Sequence, residues 1–101
     1  MDGLTVVVVD GDEPSRTRLL FALRRLGLRA LGVEATADAT ALLDALDADL
    51  ALVHGDDDEE ALAPLRRKTQ VVQLPRNAPV DEVVVELLRR LGRPEAAATL
   101  N

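Results

Sequence analysis

Cysteine is absent from this 101-residue chain, which excludes disulfides and thiolate metal sites outright. Tryptophan and tyrosine are absent as well, so Phe21 is the only aromatic residue and the core has to be aliphatic. Basic charge is scarce: twelve Lys and Arg face eighteen Asp and Glu, a formal charge of −6. Nucleic-acid phosphates are bound by clustered cations, so direct contact with DNA or RNA is not expected. The pairs and triplets that do occur, Arg24-Arg25, Arg66-Arg67-Lys68 and Arg89-Arg90, fall near the ends of predicted helices, where cations complement the negative end of the dipole. No apolar run approaches the length that crosses a bilayer. The start, Met1-Asp2-Gly3-Leu4, has neither the basic segment nor the apolar stretch of a signal peptide, and a cytoplasmic location is expected.

What is present is an aliphatic, charged composition, 48% hydrophobic and 30% charged, typical of one small globular domain. Leu4 to Val9 contains four consecutive valines, the signature of a strand covered on both faces. Asp10-Gly11-Asp12 ends it, and Pro14 suits the first turn of a helix capped by Asp12 or Glu13. Leu19, Ala22, Leu23 and Leu26 follow at helical spacing before Gly27. Leu28 to Val33 reads as a second strand, placed at the sheet edge by Arg29 and Gly32. Thr36 is the expected cap of a second helix with Ala39, Leu42, Leu43 and Leu46 facing inward. Leu50 to Val53 is the third strand.

The acidic run Asp56 to Glu60 leads into a third helix over Ala61 to Arg67, where Pro64 predicts a late start or a kink. Gln70 to Leu74 is a fourth strand. A final helix carries Val80, Val83, Val84, Leu87, Leu88 and Leu91 on one stripe and closes at Gly92. Strands alternating with helices over short connections predict a parallel sheet with helices on both faces. The expected domain covers residues 1–92, with 93–101 a tail or the start of a linker.

Val-Val-Val-Val-Asp-Gly-Asp-Glu-Pro-Ser-Arg, over residues 6–16, resembles the opening of bacterial response-regulator receiver domains. Leu26-Gly27-Leu28-Arg29-Ala30 is similar to that family's link into its second strand. Residues 39–54, with Ala41-Leu42-Leu43 and Ala48-Asp49-Leu50-Ala51-Leu52-Val53, are similar to its second helix and third strand. The resemblance spans residues 4–92. It implies a doubly wound, flavodoxin-like α/β fold, here with four strands in the order 2-1-3-4. It also implies helices one and four on one face and helices two and three on the other.

The same resemblance implies a pocket at the carboxyl ends of the strands. There an acidic pair holds Mg²⁺, a third-strand aspartate accepts a phosphoryl group, a fourth-strand hydroxyl senses it, and a fifth-strand lysine neutralises it. This chain departs from that set at most positions. Asp10 matches the first acid, but Gly11 follows, with Asp12 one place later. His54 stands at the acceptor position and Pro75 at that of the hydroxyl. The only lysine is Lys68. The segment Leu74 to Glu82 aligns either as the end of strand four, or as the run after strand five with Arg76 in the lysine's place. Both alignments leave the chain one helix and one strand short.

Asp10, Gly11, Asp12, His54, Pro75 and Arg76 are therefore read as a degenerate phosphoacceptor pocket without catalytic residues, metal or cofactor. A transition-metal set of Asp10, Asp12, His54 and Asp56 has a single imidazole among flexible acids. Acid–base chemistry at His54 with Asp10 has no accompanying nucleophile. What remains is a surface: strand four at a sheet edge, with Val71 and Gln73, and the last helix with Val84, Val85 and Leu88. The expected function is phosphorylation-independent dimerisation or docking to another signalling protein. The alternatives are a switch using His54 or Asp56, and a small-ligand or metal sensor.

Overall fold

The computed structural model describes residues 3–92; the expected tail at 93–101 lies outside the described residues, as do residues 1 and 2. Eight elements alternate along the chain: β1 (Thr5–Val9), α1 (Glu13–Arg25), β2 (Arg29–Val33), α2 (Thr36–Ala45), β3 (Leu50–His54), α3 (Glu59–Arg66), β4 (Val71–Leu74) and α4 (Val80–Arg90). The strands form one all-parallel sheet in the order β2-β1-β3-β4, as the sequence reading expected. Every residue of β1 and β3 is buried, which is why both read as unbroken apolar runs.

Strand alternation divides the core in two. On one face Val6, Val8, Leu50, Leu52 and Val72 pack against Leu19 and Leu23 of α1 and Val83, Val84, Leu87 and Leu88 of α4. On the other, Val7, Val9, Ala51, Val53 and Val71 meet Ala39 of α2 and Leu62 and Leu65 of α3. Helices one and four thus share a face and helices two and three share the other. No helix among the described residues is long and apolar enough to cross a membrane.

Three local expectations are corrected. Thr36 is the first residue of α2 and not its cap; the Asp38 carboxylate instead reaches back to the Ala35 N–H at 3.3 Å. The third helix starts at Glu59, two residues before Ala61, because Asp58 accepts the Ala61 N–H at 2.9 Å and fixes the first turn. Pro64 then sits inside the helix. The carbonyl it deprives of an amide partner belongs to Glu60, an exposed residue of the first turn that water can serve.

The third correction concerns the contact surface. Val84 and Leu88 belong to the inward stripe of α4 and are 1% and 0% exposed; Val71 is buried against the α2–α3 layer. None of the three offers its side chain to a partner. Gln73 is half-buried, and its side-chain amide is committed to the Gly55 and Asp57 carbonyls at 3.1 and 2.7 Å. Of the side chains expected to form that surface, Val85 alone is partly exposed and uncommitted. It borders a shallow hollow of about 340 Å³ with Leu74, Asp81, Glu82, Glu86 and Arg89.

Candidate functional site

The register between the two central strands builds the site. Val9 lies opposite Val53, so the next residues, Asp10 and His54, emerge side by side at the carboxyl edge of the sheet. Both continue the parity of Val8 and Leu52, hence both turn toward the α1–α4 layer. Helix α1 begins directly above them. Asp12 caps it by accepting the Ser15 N–H at 3.0 Å, and this sets the Ser15 hydroxyl over the two strand ends.

The result is a buried three-way contact. Asp10 Oδ2 lies 3.0 Å from His54 Nδ1, and the Ser15 hydroxyl is 2.6 Å from Asp10 Oδ2 and 3.1 Å from His54 Nδ1. Asp10 Oδ1 accepts the Asp12 N–H at 2.9 Å. On the far side of the ring, His54 Nε2 is 2.9 Å from the Ala78 carbonyl. A carbonyl only accepts, so Nε2 carries a proton and donates it. Asp10 and His54 are 2% and 5% exposed, and every atom of this network has a partner. His54 thereby joins β1, α1 and β3 to the loop that launches α4.

Burial pushes the Asp10 carboxyl up. The Ser15 hydroxyl, the Asp12 N–H and the His54 ring, by hydrogen bond and by charge, outweigh burial and hold it below its ordinary value of 3.8. Because the folded value is the lower one, ionised Asp10 contributes stability that is complete above the unfolded value and lost as pH falls through the folded value. Thermal melts from pH 7 down to pH 2 are expected to show wild type losing its advantage over Asp10→Asn below about pH 4. A gap that stays constant across that range would contradict the favourable placing of this carboxylate.

The other expected residues are spread around the rim. Gly11 is exposed, and a Cβ built there would sit 3.4 Å from Arg76 Nη2, so the guanidinium lies across this glycine. The Asp12 side chain is spent on capping α1. Pro75 is exposed and lines a hollow of about 330 Å³ with Gly55, Asp56, Asp57 and Gln73. Asp56 is exposed as well and accepts the Arg76 N–H at 3.3 Å. The structure thus brings Asp10 and His54 together, adds Ser15, and leaves Gly11, Asp12, Pro75 and Arg76 outside the buried contact.

Ser15 was legible in principle. It stands three residues after a good cap, where a side chain faces the strand ends. The absence of a serine from the implied receiver set hid it.

The Mg²⁺ that the resemblance implies does not fit these residues. A hard cation needs several free oxygens. Both Asp10 oxygens are already engaged, Gly11 supplies no carboxylate, and the third strand ends in an imidazole. Among the described residues no three His, Asp or Glu side chains are placed to hold a metal ion. Nucleophilic catalysis is equally unsupported. Ser15 and Asp10 crowd the same ring nitrogen while the other is tied to Ala78, so the three groups form no relay toward open space.

No protein-family model matches the sequence, and no curated protein does. Among solved structures, the chain is similar to a two-component response regulator from Clostridium difficile. The TM-score is 0.62 at 13% identity, covering 89% of this chain and 97% of that one. It is also similar to NtrX from Brucella abortus, crystallised in complex with ADP, with a TM-score of 0.53 at 16% identity. That match covers 99% of this chain and 28% of the longer one. At such identities the likeness is one of architecture: the chain has the doubly wound α/β fold found in response regulators, with four parallel strands and four helices among its described residues.

Proposed function

We propose that this chain is a degenerate receiver-like domain that works through protein contacts, without phosphoryl transfer, in bacterial signalling or transcription control. The observation that carries the reading is the state of His54: it ends β3, is 5% exposed, and has both ring nitrogens engaged. Neither it nor Asp10 is free to attack a phosphodonor.

The contact surface favoured by the reading is the free edge of β4 with the adjoining side of α4. The Gln70 and Leu74 carbonyls turn inward to Ala51 and Gly55 of β3 and its following loop. Val71 and Gln73 therefore direct their backbone N–H and C=O groups outward. The opposite edge is guarded, because Arg24 Nε and Nη2 cover the Ala30 carbonyl of β2 at 3.2 and 2.7 Å. A partner at β4, whether a second copy or another signalling protein, would meet Leu74, Val85 and the Glu86–Arg89 pair.

Incubation with a small phosphodonor and Mg²⁺, followed by intact-mass measurement, is expected to leave the chain unmodified. An adduct mapped to His54 or to the exposed Asp56 would replace this reading with a phosphorylation switch. Sedimentation equilibrium is expected to show association that Val85→Glu abolishes at unchanged melting temperature. A strict monomer at high concentration, indifferent to that substitution, would remove self-association through this edge.

A further inference from the structure

The amino edge of the sheet, opposite the end where Asp10 and His54 meet, holds a hollow of about 500 Å³ bordered by Thr5, Arg24, Arg29, Leu31, Leu46 and Asp47. Its floor follows from the register. Thr5 pairs with Arg29 and Val7 with Leu31, so all four side chains turn toward the α2–α3 layer. Val33, at the far end of β2, packs against that layer, whereas Leu31 is left 37% exposed. Leu46 and Asp47 border the hollow from the turn between α2 and β3.

Thr5 is only 9% exposed, and its hydroxyl has no hydrogen-bond partner among the described residues. No fully buried side-chain nitrogen or oxygen there lacks a partner, so this hydroxyl is the part of Thr5 that opens on the hollow. Its backbone is held in place: the Thr5 N–H donates to Asp49 Oδ2 at 2.7 Å, and the Thr5 carbonyl accepts the Asp49 N–H at 2.8 Å. Arg29 and Asp47 are exposed and make no ion pair among the described residues. Arg24 spends Nε and Nη2 on the Ala30 carbonyl and forms the outer wall. A cavity of this size, apolar with a few converging polar groups, suits a small molecule.

We propose that this hollow binds a small aliphatic α-amino acid. The Thr5 hydroxyl and Arg29 donate to its carboxylate, Asp47 accepts from its ammonium, and its side chain lies over Leu31 and Leu46. Two guanidinium groups against one carboxylate make the hollow locally positive in a chain of charge −6, which selects a carboxylate. Asp47 welcomes an ammonium and repels a dianion such as phosphate, which would also leave both leucines uncovered. A partner strand is poorly suited, because Arg24 blocks the backbone edge at Ala30. The site is at the other end of the sheet from the degenerate pocket and does not depend on whether the chain can be phosphorylated.

The test titrates L-leucine into the ¹⁵N-labelled full chain, beside isocaproate, which lacks the amine, and isoamylamine, which lacks the carboxylate. Leucine is expected to give saturable shifts at the amides of Thr5, Arg29, Leu31 and Asp47 and to bind at least about tenfold more tightly than either analogue. Thr5→Val keeps the shape and removes the hydroxyl, and should weaken leucine at least about threefold while the chain still melts cooperatively. Arg29→Gln and Asp47→Asn, at exposed positions, should leave the melting temperature unchanged and each erase one preference. The first removes the advantage of leucine over isoamylamine, the second its advantage over isocaproate. Absence of saturable shifts into the tens of millimolar, shifts centred on the strand tips around His54, equal affinity for all three compounds, or indifference to both Thr5→Val and Arg29→Gln would each overturn the proposal.

Discussion

His54→Ala is expected to destabilise the fold by about 2–4 kcal/mol, a large part of the roughly 5–15 kcal/mol available to a domain of this size. The substitution takes one partner from Asp10 and Ser15 and a side-chain donor from the Ala78 carbonyl, and it opens a void at a fully packed strand end. Asp10 keeps the Ser15 and Asp12 contacts, so the penalty stays below that of an isolated buried charge. A fall in melting temperature of about 10–20 °C corresponds to that range. The pairing can be isolated by a double-mutant cycle with Asp10→Ala. Once Asp10 is gone, losing His54 should cost at least about 1 kcal/mol less. Strict additivity would mean that the two side chains are neighbours without being partners, and the account of the site would go with it.

Hydrogen exchange adds a spatial readout. Because Nε2 binds the Ala78 carbonyl just ahead of α4, His54→Ala should loosen amides at the start of that helix as well as around the strand tips. Loosening restricted to β3 and its following loop would show that the imidazole does not fasten α4.

The fold was largely legible because burial on both faces makes β1 and β3 write themselves as unbroken aliphatic runs. Asp12 is one of the two caps the sequence offers for α1, whereas the Asp58 cap of α3 is hidden inside the acidic run Asp56 to Glu60. Strand order came from the receiver resemblance rather than from periodicity, which says which face of an element is apolar and nothing about which neighbour covers it. The Asp10–His54 contact follows from parity once β1 and β3 are adjacent. Its third member, Ser15, depends on how α1 is launched, and no spacing rule in a receiver marks it.

The contact surface was misread for a related reason. Helical spacing puts Val84 and Leu88 on the inward stripe of α4, and a side chain on that stripe cannot also serve a docking face; the core takes them. Phe21 shows the converse. It lies two residues from Leu19 and from Leu23, on the far side of α1 from the stripe they form, so the helical wheel alone places it outward.

His54→Asp should separate what the histidine does from what the fold permits. An aspartate there restores the acceptor carboxylate that the receiver resemblance implies, and sets it beside Asp10 without the imidazole that now joins them. Two carboxylates in one buried corner repel, so the folded pair holds a proton more tightly than the unfolded chain does. The penalty is present above that raised folded value and is relieved as pH falls through it, opposite in sense to the acid limb of wild-type Asp10. At pH 7 the variant should therefore melt below His54→Asn, which is similar in size but uncharged, and the difference should vanish in acid. Mg²⁺ supplies the missing positive charge through oxygen ligands, which the variant offers and wild type has tied up. Tenfold Mg²⁺ over its dissociation constant would return about 1.4 kcal/mol to the variant and nothing to wild type. Equal stabilisation of both proteins would place a cation at this edge whatever ends the third strand, and His54 would lose its role as the group that closes the pocket.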